Sequence, residues 1–378
     1  MNQTTFIILI IAIALVLVGS AMFLTALAAA DWDITSLDSG RYESYTHDLA
    51  GEITDIAIGS ERADVNLIPT EDGTTRVFCH QDKKERVSVE LKDGVLLING
   101  DDERKWYERL FSFTNPVIDV YIPSGEYASL AIVNNTGDIA IRKGFTFGSA
   151  SISADTSEVV FLASVNESLD IELHTGDVEI ENVKAKDVSI NLSTGEVKID
   201  NLECESFSSE GTTGDIELER ITAEGAVYIQ RSTGDVEMDI GSAHSVKVVT
   251  NTGSIELGSL TVEDLLRLEV STGDVELEHV HCGTFETTGG TGRLNMSDVV
   301  ADGNMNIERS TGDVRFDACD AATVQILTDT GDVVGSFLTD KIIFTHTDTG
   351  RVDVPECTSG GKCTITTETG KIIISIAN

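Results

Sequence analysis

Acidic residues recur at fixed positions around a repeated Thr-Gly pair, and their type and spacing could bind divalent cations. Counting from the glycine of each repeat, the first residue after it is often Asp and the third is often Glu. In stacked repeats these carboxylates would lie about 5 Å apart and repel one another, which an interposed cation would relieve. Ca²⁺ takes oxygen ligands of this kind. The candidate ligands are Asp215, Glu217, Asp235, Glu237, Asp274 and Glu276.

A simpler interpretation of the same acids is the one we favour. The Asp residues would accept backbone N–H hydrogen bonds at a turn, and the Glu residues would form a solvated face that keeps the protein soluble. One repeat has Lys198 in the Glu position, and the spacing differs from the Gly-Gly-x-Gly-x-Asp nonapeptide of calcium-binding β-rolls. We therefore expect no cofactor, and Ca²⁺ is the alternative.

Metal-ligand residue types also lie together in residues 279–282, which read His-Val-His-Cys. On a strand, both histidines would point outward around Val280. Two histidines and a cysteine could hold Zn²⁺, but the sequence specifies no fourth ligand. We favour a chance surface arrangement, because isolated short motifs often arise without a function.

The six cysteines are interpreted as buried and unpaired. Cys319, Cys357 and Cys363 fall at repeat positions that aliphatic side chains fill elsewhere, and a free cysteine behaves as a small hydrophobic residue. A disulfide needs Cα atoms within about 7 Å of each other. The pair Cys357–Cys363 is the alternative that the sequence spacing allows.

Charge and motifs together predict a protein that is not an enzyme. The 26 basic and 64 acidic residues give a net charge of −38, which excludes nucleic acid and anionic lipid surfaces as direct partners, since both need a basic footprint.

No P-loop, Gly-x-Ser-x-Gly or His-Glu-x-x-His motif is present. The alternative is a polysaccharide-active enzyme on a β-helix, which would need a long insertion or an aromatic-lined groove.

The elements that position these residues come from an internal repeat. A Thr-Gly pair, often followed by Asp, recurs every 19 or 20 residues, and Ser157 takes the glycine's place in one copy. A constant period in this range is typical of a solenoid. The repeat glycines are Gly137, Gly176, Gly195, Gly214, Gly234, Gly253, Gly273, Gly292, Gly312, Gly331, Gly350 and Gly370.

Within each repeat, apolar and polar residues alternate on both sides of the glycine, as Val178 and Ile180 do around Glu179. Period two predicts strands with one buried face, joined by a tight Thr-Gly corner. An antiparallel meander would fit the alternation, but like residues at like positions favour coils stacked in parallel and in register. We predict an all-β protein, with a parallel β-solenoid (β-helix) of about 13 coils over residues 131–378.

The N-terminal residues 1–30 are predicted to be a transmembrane anchor. Residues 6–30 contain no charged side chain and are long enough to cross a bilayer. The alternative is a cleaved secretory signal, because three alanines precede Asp31. We favour the uncleaved anchor, since the apolar run is long and no basic segment precedes it.

Two further segments lie before the repeats. Residues 31–51 form a short acidic connector, and residues 52–130 alternate like strands without the strict period, so we interpret them as a β-rich N-terminal cap. An excursion in this cap contains the aromatic residues Trp106, Tyr107, Phe111 and Phe113.

The opposite end of the chain is an apolar strand, residues 372–378, with no recognisable cap. An open strand edge invites self-association. We therefore expect a homo-oligomer through this C-terminal edge as an alternative role, and a charged residue in place of Ile373 or Ile374 should abolish it.

Three stretches together resemble a known family. They are Asp-Trp-Asp-Ile at residues 31–34, Asp-Val-Tyr-Ile-Pro-Ser at residues 119–124, and the Thr-Gly-Asp repeats. They resemble the bacterial "putative adhesin" domain family, a domain of unknown function in envelope-associated proteins, over nearly the whole chain after residue 31. The resemblance implies a membrane-anchored β-solenoid without catalytic residues.

From this resemblance and the anchor, we expect a single-pass protein of the cell membrane with the bulk of the chain outside the cytoplasm. Its expected role is that of an adhesin, an envelope scaffold or a sensor, with an envelope protein or glycan as partner.

Overall fold

A computed structural model describes residues 3–29, 32, 42–102 and 115–377. Helix α1 spans Gln3–Ala29. Within the described ranges, no helix combines the length and apolar character that a bilayer crossing requires. Residues 31 and 33–41 of the predicted connector lie outside the described residues, as do the aromatic residues Trp106, Tyr107, Phe111 and Phe113.

Strands make up almost all of the remaining described chain. Before the repeats they are β1 (Tyr42–Leu49), β2 (Asp55–Ser60), β3 (Asp64–Thr70), β4 (Thr75–Asp82), β5 (Glu85–Lys92), β6 (Val95–Asp102) and β7 (Val117–Pro123). The first repeats contain β8 (Gly125–Thr136), β9 (Ile139–Ile141), β10 (Phe145–Thr156), β11 (Val159–Phe161), β12 (Ser164–Val165), β13 (Ser168–Thr175), β14 (Val178–Lys184), β15 (Asp187–Thr194) and β16 (Val197–Cys204).

The later repeats continue the same pattern. Their strands are β17 (Ser206–Thr213), β18 (Ile216–Ala223), β19 (Ala226–Thr233), β20 (Val236–Ala243), β21 (Ser245–Thr252), β22 (Ile255–Gly258), β23 (Leu260–Thr272), β24 (Val275–Thr291), β25 (Leu294–Thr311), β26 (Val314–Thr330), β27 (Val333–Phe337), β28 (Lys341–Thr349), β29 (Val352–Asp353), β30 (Gly361–Thr369) and β31 (Ile372–Ile376). In β24 to β26 the return between repeats is itself extended, so each strand runs from one corner to the next.

Like strands of successive repeats pair in parallel and in register. Strand β13 pairs with β15, so that Ile171 lies beside Ile190, and β14 pairs with β16, so that Val178 lies beside Val197. The inward-facing aliphatic residues therefore form continuous buried columns. The predicted parallel β-solenoid is confirmed, with about 12 turns against the 13 expected.

The second strand of many repeats bends six residues after the glycine, which the sequence analysis missed. The backbone there takes a positive φ, a conformation that Asn and Asp adopt more readily than other residues with side chains. The residues at this bend are Asn182, Asn201, Ser259, His279, Asp298 and Ala318. In the sequence, the two asparagines at this position could have indicated the bend.

At the N-terminal end, the order of coils in space differs from their order in the chain. Strands β2 and β3 form a coil that lies between the β6–β7 coil and the β8–β9 coil. Beyond it, β4 pairs antiparallel with β1 and β7, and β5 pairs antiparallel with β6. These antiparallel strands close this end of the stack.

The C-terminal end has the same kind of inversion. Strand β30 lies between β26 and β28, and β31 lies between β27 and β29. The prediction that the last strand is an open edge is wrong for Ile372 and Ile373, which pair with β27 on one side and with β29 on the other. The spatial end of the stack is the preceding repeat, β28 and β29, and the last repeat of the chain is held inside.

Candidate functional site

The Thr-Gly corner brings the backbones of successive coils unusually close together. The N–H of Gly176 donates to the carbonyl oxygen of Thr194 in the next coil, 3.0 Å away. Gly195 has a φ of +143°, and a Cβ at this residue would lie 1.7 Å from the carbonyl oxygen of Gly176. Both the conformation and the space therefore require glycine. Ser157, the exception, donates its hydroxyl hydrogen to the carbonyl oxygen of Gly137.

The Asp residues beside the corner are hydrogen-bond acceptors for the next coil. In each case Oδ1 accepts the backbone N–H of the corresponding residue one coil further on. The pairs are Asp177 with Glu196 at 2.8 Å, Asp215 with Asp235 at 2.8 Å, Asp235 with Ser254 at 2.7 Å, Asp274 with Arg293 at 2.7 Å and Asp313 with Asp332 at 3.0 Å. The backbone role that we favoured is thus present, but it joins two coils instead of closing one turn.

Neighbouring groups hold two of these carboxylates in their charged form. The backbone N–H of Arg293, with its guanidinium, lowers the pKa of Asp274. The backbone N–H and ammonium of Lys371 do the same to the pKa of Asp332. The partner of Asp332 lies 39 residues further on because the last repeat is inserted into the stack.

The Glu residues three positions after the corner glycines form a column along the stack. Their negative charge is balanced by a basic side chain in one part of this column and not in another. The Nζ of Lys198 lies 2.9 Å from a carboxylate oxygen of Glu217. Further along, Glu256 lies in register between Glu237 and Glu276, and burial together with these two acids raises its pKa. Like charges are therefore stacked there without a basic neighbour in the column.

The six predicted calcium ligands do not come together in one place. Asp235 and Glu237 adjoin Asp215 and Glu217 of the preceding coil, but Asp274 and Glu276 lie two coils further on. Across the part of the chain that the structure describes, no group of three or more His, Cys, Asp or Glu residues could hold a metal ion.

The two histidines of residues 279–282 are exposed and face acids of the following repeat. Nδ1 of His279 lies 2.9 Å from Asp298, and Nε2 of His281 lies 3.2 Å from Asp302. Cys282 is fully buried, so its thiol points into the core and away from both imidazoles. This arrangement cannot hold zinc with these three side chains.

The cysteines carry no disulfide, so the alternative pair Cys357–Cys363 is not formed. Five are buried and Cys357 is half-buried. Burial raises the pKa of the Cys282 thiol to about 12, which keeps it protonated and unreactive at neutral pH.

Two arginines lie inside the core, which the sequence pattern did not predict. The position three residues before the corner glycine faces inward, yet Arg231 and Arg309 occupy it with only 1% and 3% of their surface exposed. Each lies in register with a glycine of the preceding coil, Gly211 or Gly289. In the sequence, a glycine followed one repeat later by an arginine at the same repeat position could have indicated these buried arginines.

A family model matches most of the chain. The Toastrack DUF4097 family, a domain of unknown function, matches residues 53–264 and 259–378. The chain belongs to this family. No curated protein matches it.

The solved structures that match this chain are distant from it. A putative adhesin from Parabacteroides distasonis has 16% identity and a TM-score of 0.39, over 73% of this chain and 98% of its own. A putative adhesin from Bacteroides fragilis has 13% identity and a TM-score of 0.31 over the same shares. A putative lipid binding protein from Parabacteroides distasonis has 12% identity and a TM-score of 0.23, over 89% of this chain and 98% of its own. At these values the likenesses carry no argument about function.

The Asp residues and the Glu residues should differ in their effect on stability. We expect Asp235→Ala to cost about 1 kcal/mol, because the N–H of Ser254 loses its acceptor. The control Glu237→Ala should stay within about 0.5 kcal/mol. Urea unfolding measures both values. Ca²⁺ should leave the unfolding temperature of the unaltered protein unchanged. A rise in that temperature that Asp235→Ala removes would instead support Ca²⁺ binding by the candidate ligands.

Proposed function

We propose that this protein is a non-catalytic adhesin or scaffold of the cell envelope, located outside the cytoplasm. The observation that carries the proposal is the uninterrupted stack, in which corner after corner donates its glycine N–H to the next coil. Such a stack spans distance and presents a regular surface, and the described residues form no large loop that could enclose a substrate.

The grooves of the described surface favour this role over a polysaccharide-active enzyme. A groove of about 420 Å³ contains Glu276, Glu278 and Asp317 in its lining. Asp317 accepts a hydrogen bond from the hydroxyl of Ser336 at 2.6 Å, and the aromatic ring at the groove, Phe316, is 4% exposed. A sugar would therefore find no aromatic platform there.

The proposed location rests on the sequence. Residues 6–30 carry no charge, and we propose that they attach the protein to the membrane with the solenoid on the outer side. The acidic surface suits this arrangement, since a strongly charged protein stays soluble at high local density.

A protease site inserted into an exposed loop tests this location directly. Thr358, Ser359 and Gly360 are exposed between β29 and β30, so a recognition sequence placed after Ser359 should be accessible in the folded protein. We expect a site-specific protease added to intact cells to cleave the full-length protein. The same insertion must be cut in lysed cells. Cleavage only after lysis would place the solenoid in the cytoplasm and overturn the proposal.

A second candidate role is self-association through the spatial end of the stack. Among the described strands, β28 pairs with β30 alone. Its inward residue Ile343 is only half-buried, whereas Val324, two coils further in, is buried. Outward-facing Phe344 is 55% exposed and Ile342 is 37% exposed. At this end of the stack no further coil covers the buried aliphatic columns among the described residues, and the adjoining strand edge carries exposed apolar side chains.

We propose a second copy of this chain as the partner of that edge. The other end of the stack is closed by antiparallel strands, which disfavours head-to-tail stacking. Two β28 edges related by a two-fold axis would pair antiparallel and cover both open cores.

Matched substitutions distinguish this interface from general surface hydrophobicity. Phe344→Lys should abolish dimerisation, because it places a charge at the centre of the shared edge. Leu327→Lys, at an outward residue of β26 that is 38% exposed, should leave it unchanged. Sedimentation equilibrium of the full-length protein in detergent measures both. A monomeric unaltered protein, or equal effects of the two substitutions, would contradict the interface.

A further inference from the structure

A groove of about 480 Å³ crosses the outer face of the first strands of five repeats, from Val249 to Asp329. Successive glycines, Gly289 and Gly290, lie in its lining and leave a gap between the side chains. Arg309 reaches the groove at this gap. Its guanidinium occupies the space that a side chain would fill, since a Cβ on Gly289 would lie 2.0 Å from Nη1.

The guanidinium of Arg309 is buried with most of its donors unused. Nη2 donates to Oγ1 of Thr287 at 3.3 Å. Nε and Nη1 are buried and have no hydrogen-bond partner among the described residues. Thr328 lies beside Arg309 in the next coil, is fully buried, and its Oγ1 also has no partner in that part of the chain. Three unsatisfied polar atoms thus belong to two residues that face each other.

Buried donors without acceptors, like those of Arg309 and Thr328, destabilise the folded protein unless a bound group accepts their hydrogen bonds. A buried charge without a hydrogen-bonded partner destabilises the fold, and a buried polar atom without a partner adds to this. Burial lowers the pKa of Arg309 to about 10, so the side chain is still protonated at neutral pH. Asp274 is the acid whose charge acts on it, but the carboxylate of Asp274 is held by Arg293.

Arg231 provides the internal comparison, because it occupies the same column over Gly211. Its Nη1 donates to the carbonyl oxygen of Gln230 and its Nη2 to Oγ of Ser209, both at 2.9 Å. Thr250, its partner in the next coil, donates to the carbonyl oxygen of Gly234. The protein itself satisfies the guanidinium of Arg231, and it does not do so for Arg309.

We propose that Arg309 and Thr328 bind a small monovalent anion, either a halide ion or the carboxylate group of a small molecule. The free groups are N–H and O–H donors around a positive charge, which match an acceptor of negative charge. Glu308 and Asp329 lie at the same groove, and their charges repel phosphate and other multivalent anions. The site therefore selects for one negative charge and small size.

Chloride NMR of the full-length protein tests the site. We expect the ³⁵Cl line to broaden in its presence, and Thr328→Val to weaken chloride binding by about fivefold through the lost hydroxyl donor. The matched control Thr250→Val, beside Arg231, should leave binding unchanged. Arg309→Met should abolish the broadening.

Competition then identifies the source of the negative charge. Displacement of chloride by acetate at lower concentration than by bromide assigns the site to a carboxylate, and the reverse order assigns it to a halide. Absence of broadening, or broadening that survives both Thr328→Val and Arg309→Met, would overturn the proposal.

Discussion

The structure depends on the close approach of successive backbones at the Thr-Gly corner. A side chain on Gly214 or Gly273 would overlap the carbonyl oxygen of the preceding corner glycine, at 1.8 and 1.9 Å. Once the corners meet in this way, the register of both flanking strands is determined, and like residues must lie above one another. The continuous core, the stacked acids and the buried arginine column all follow from that one contact.

In-register stacking brings like-charged carboxylates of successive coils close together, and neighbouring backbone N–H groups or basic side chains relieve their repulsion. Many corner Asp residues accept the next coil's N–H, which draws their negative charge toward the backbone dipoles. Elsewhere a basic residue occupies the neighbouring coil, as Lys184 does beside Glu203 at 2.5 Å and Arg220 beside Asp200. Such exposed pairs contribute little individually, but they interrupt columns of like charge. Where no such interruption exists, around Glu256, the pKa of the carboxyl is raised.

Much of the fold could be predicted from the sequence because the repeat is local. Period-two alternation identified the strands, and Thr-Gly at a constant spacing identified the corners. The order of coils at the two ends could not be predicted, since a repeat looks the same whichever neighbour it meets. Each inversion places a coil between two others, so that strands pair with it on both sides. The arginine sites were missed for a related reason: burial of Arg309 depends on Gly289 in another repeat.

Disulfide trapping across β26 tests most directly whether corner contacts, and not chain order, select the neighbours. Leu327, His346 and Thr366 each lie four residues before a corner glycine, and Leu327 is in register with Thr366. In a Cys357→Ser background, Leu327→Cys with Thr366→Cys should cross-link on mild oxidation, because adjacent strands lie about 4.8 Å apart. Leu327→Cys with His346→Cys should not, because two strand spacings, about 10 Å, exceed the reach of a disulfide. Cross-linking of the second pair alone would show that the coils follow chain order and would contradict this account.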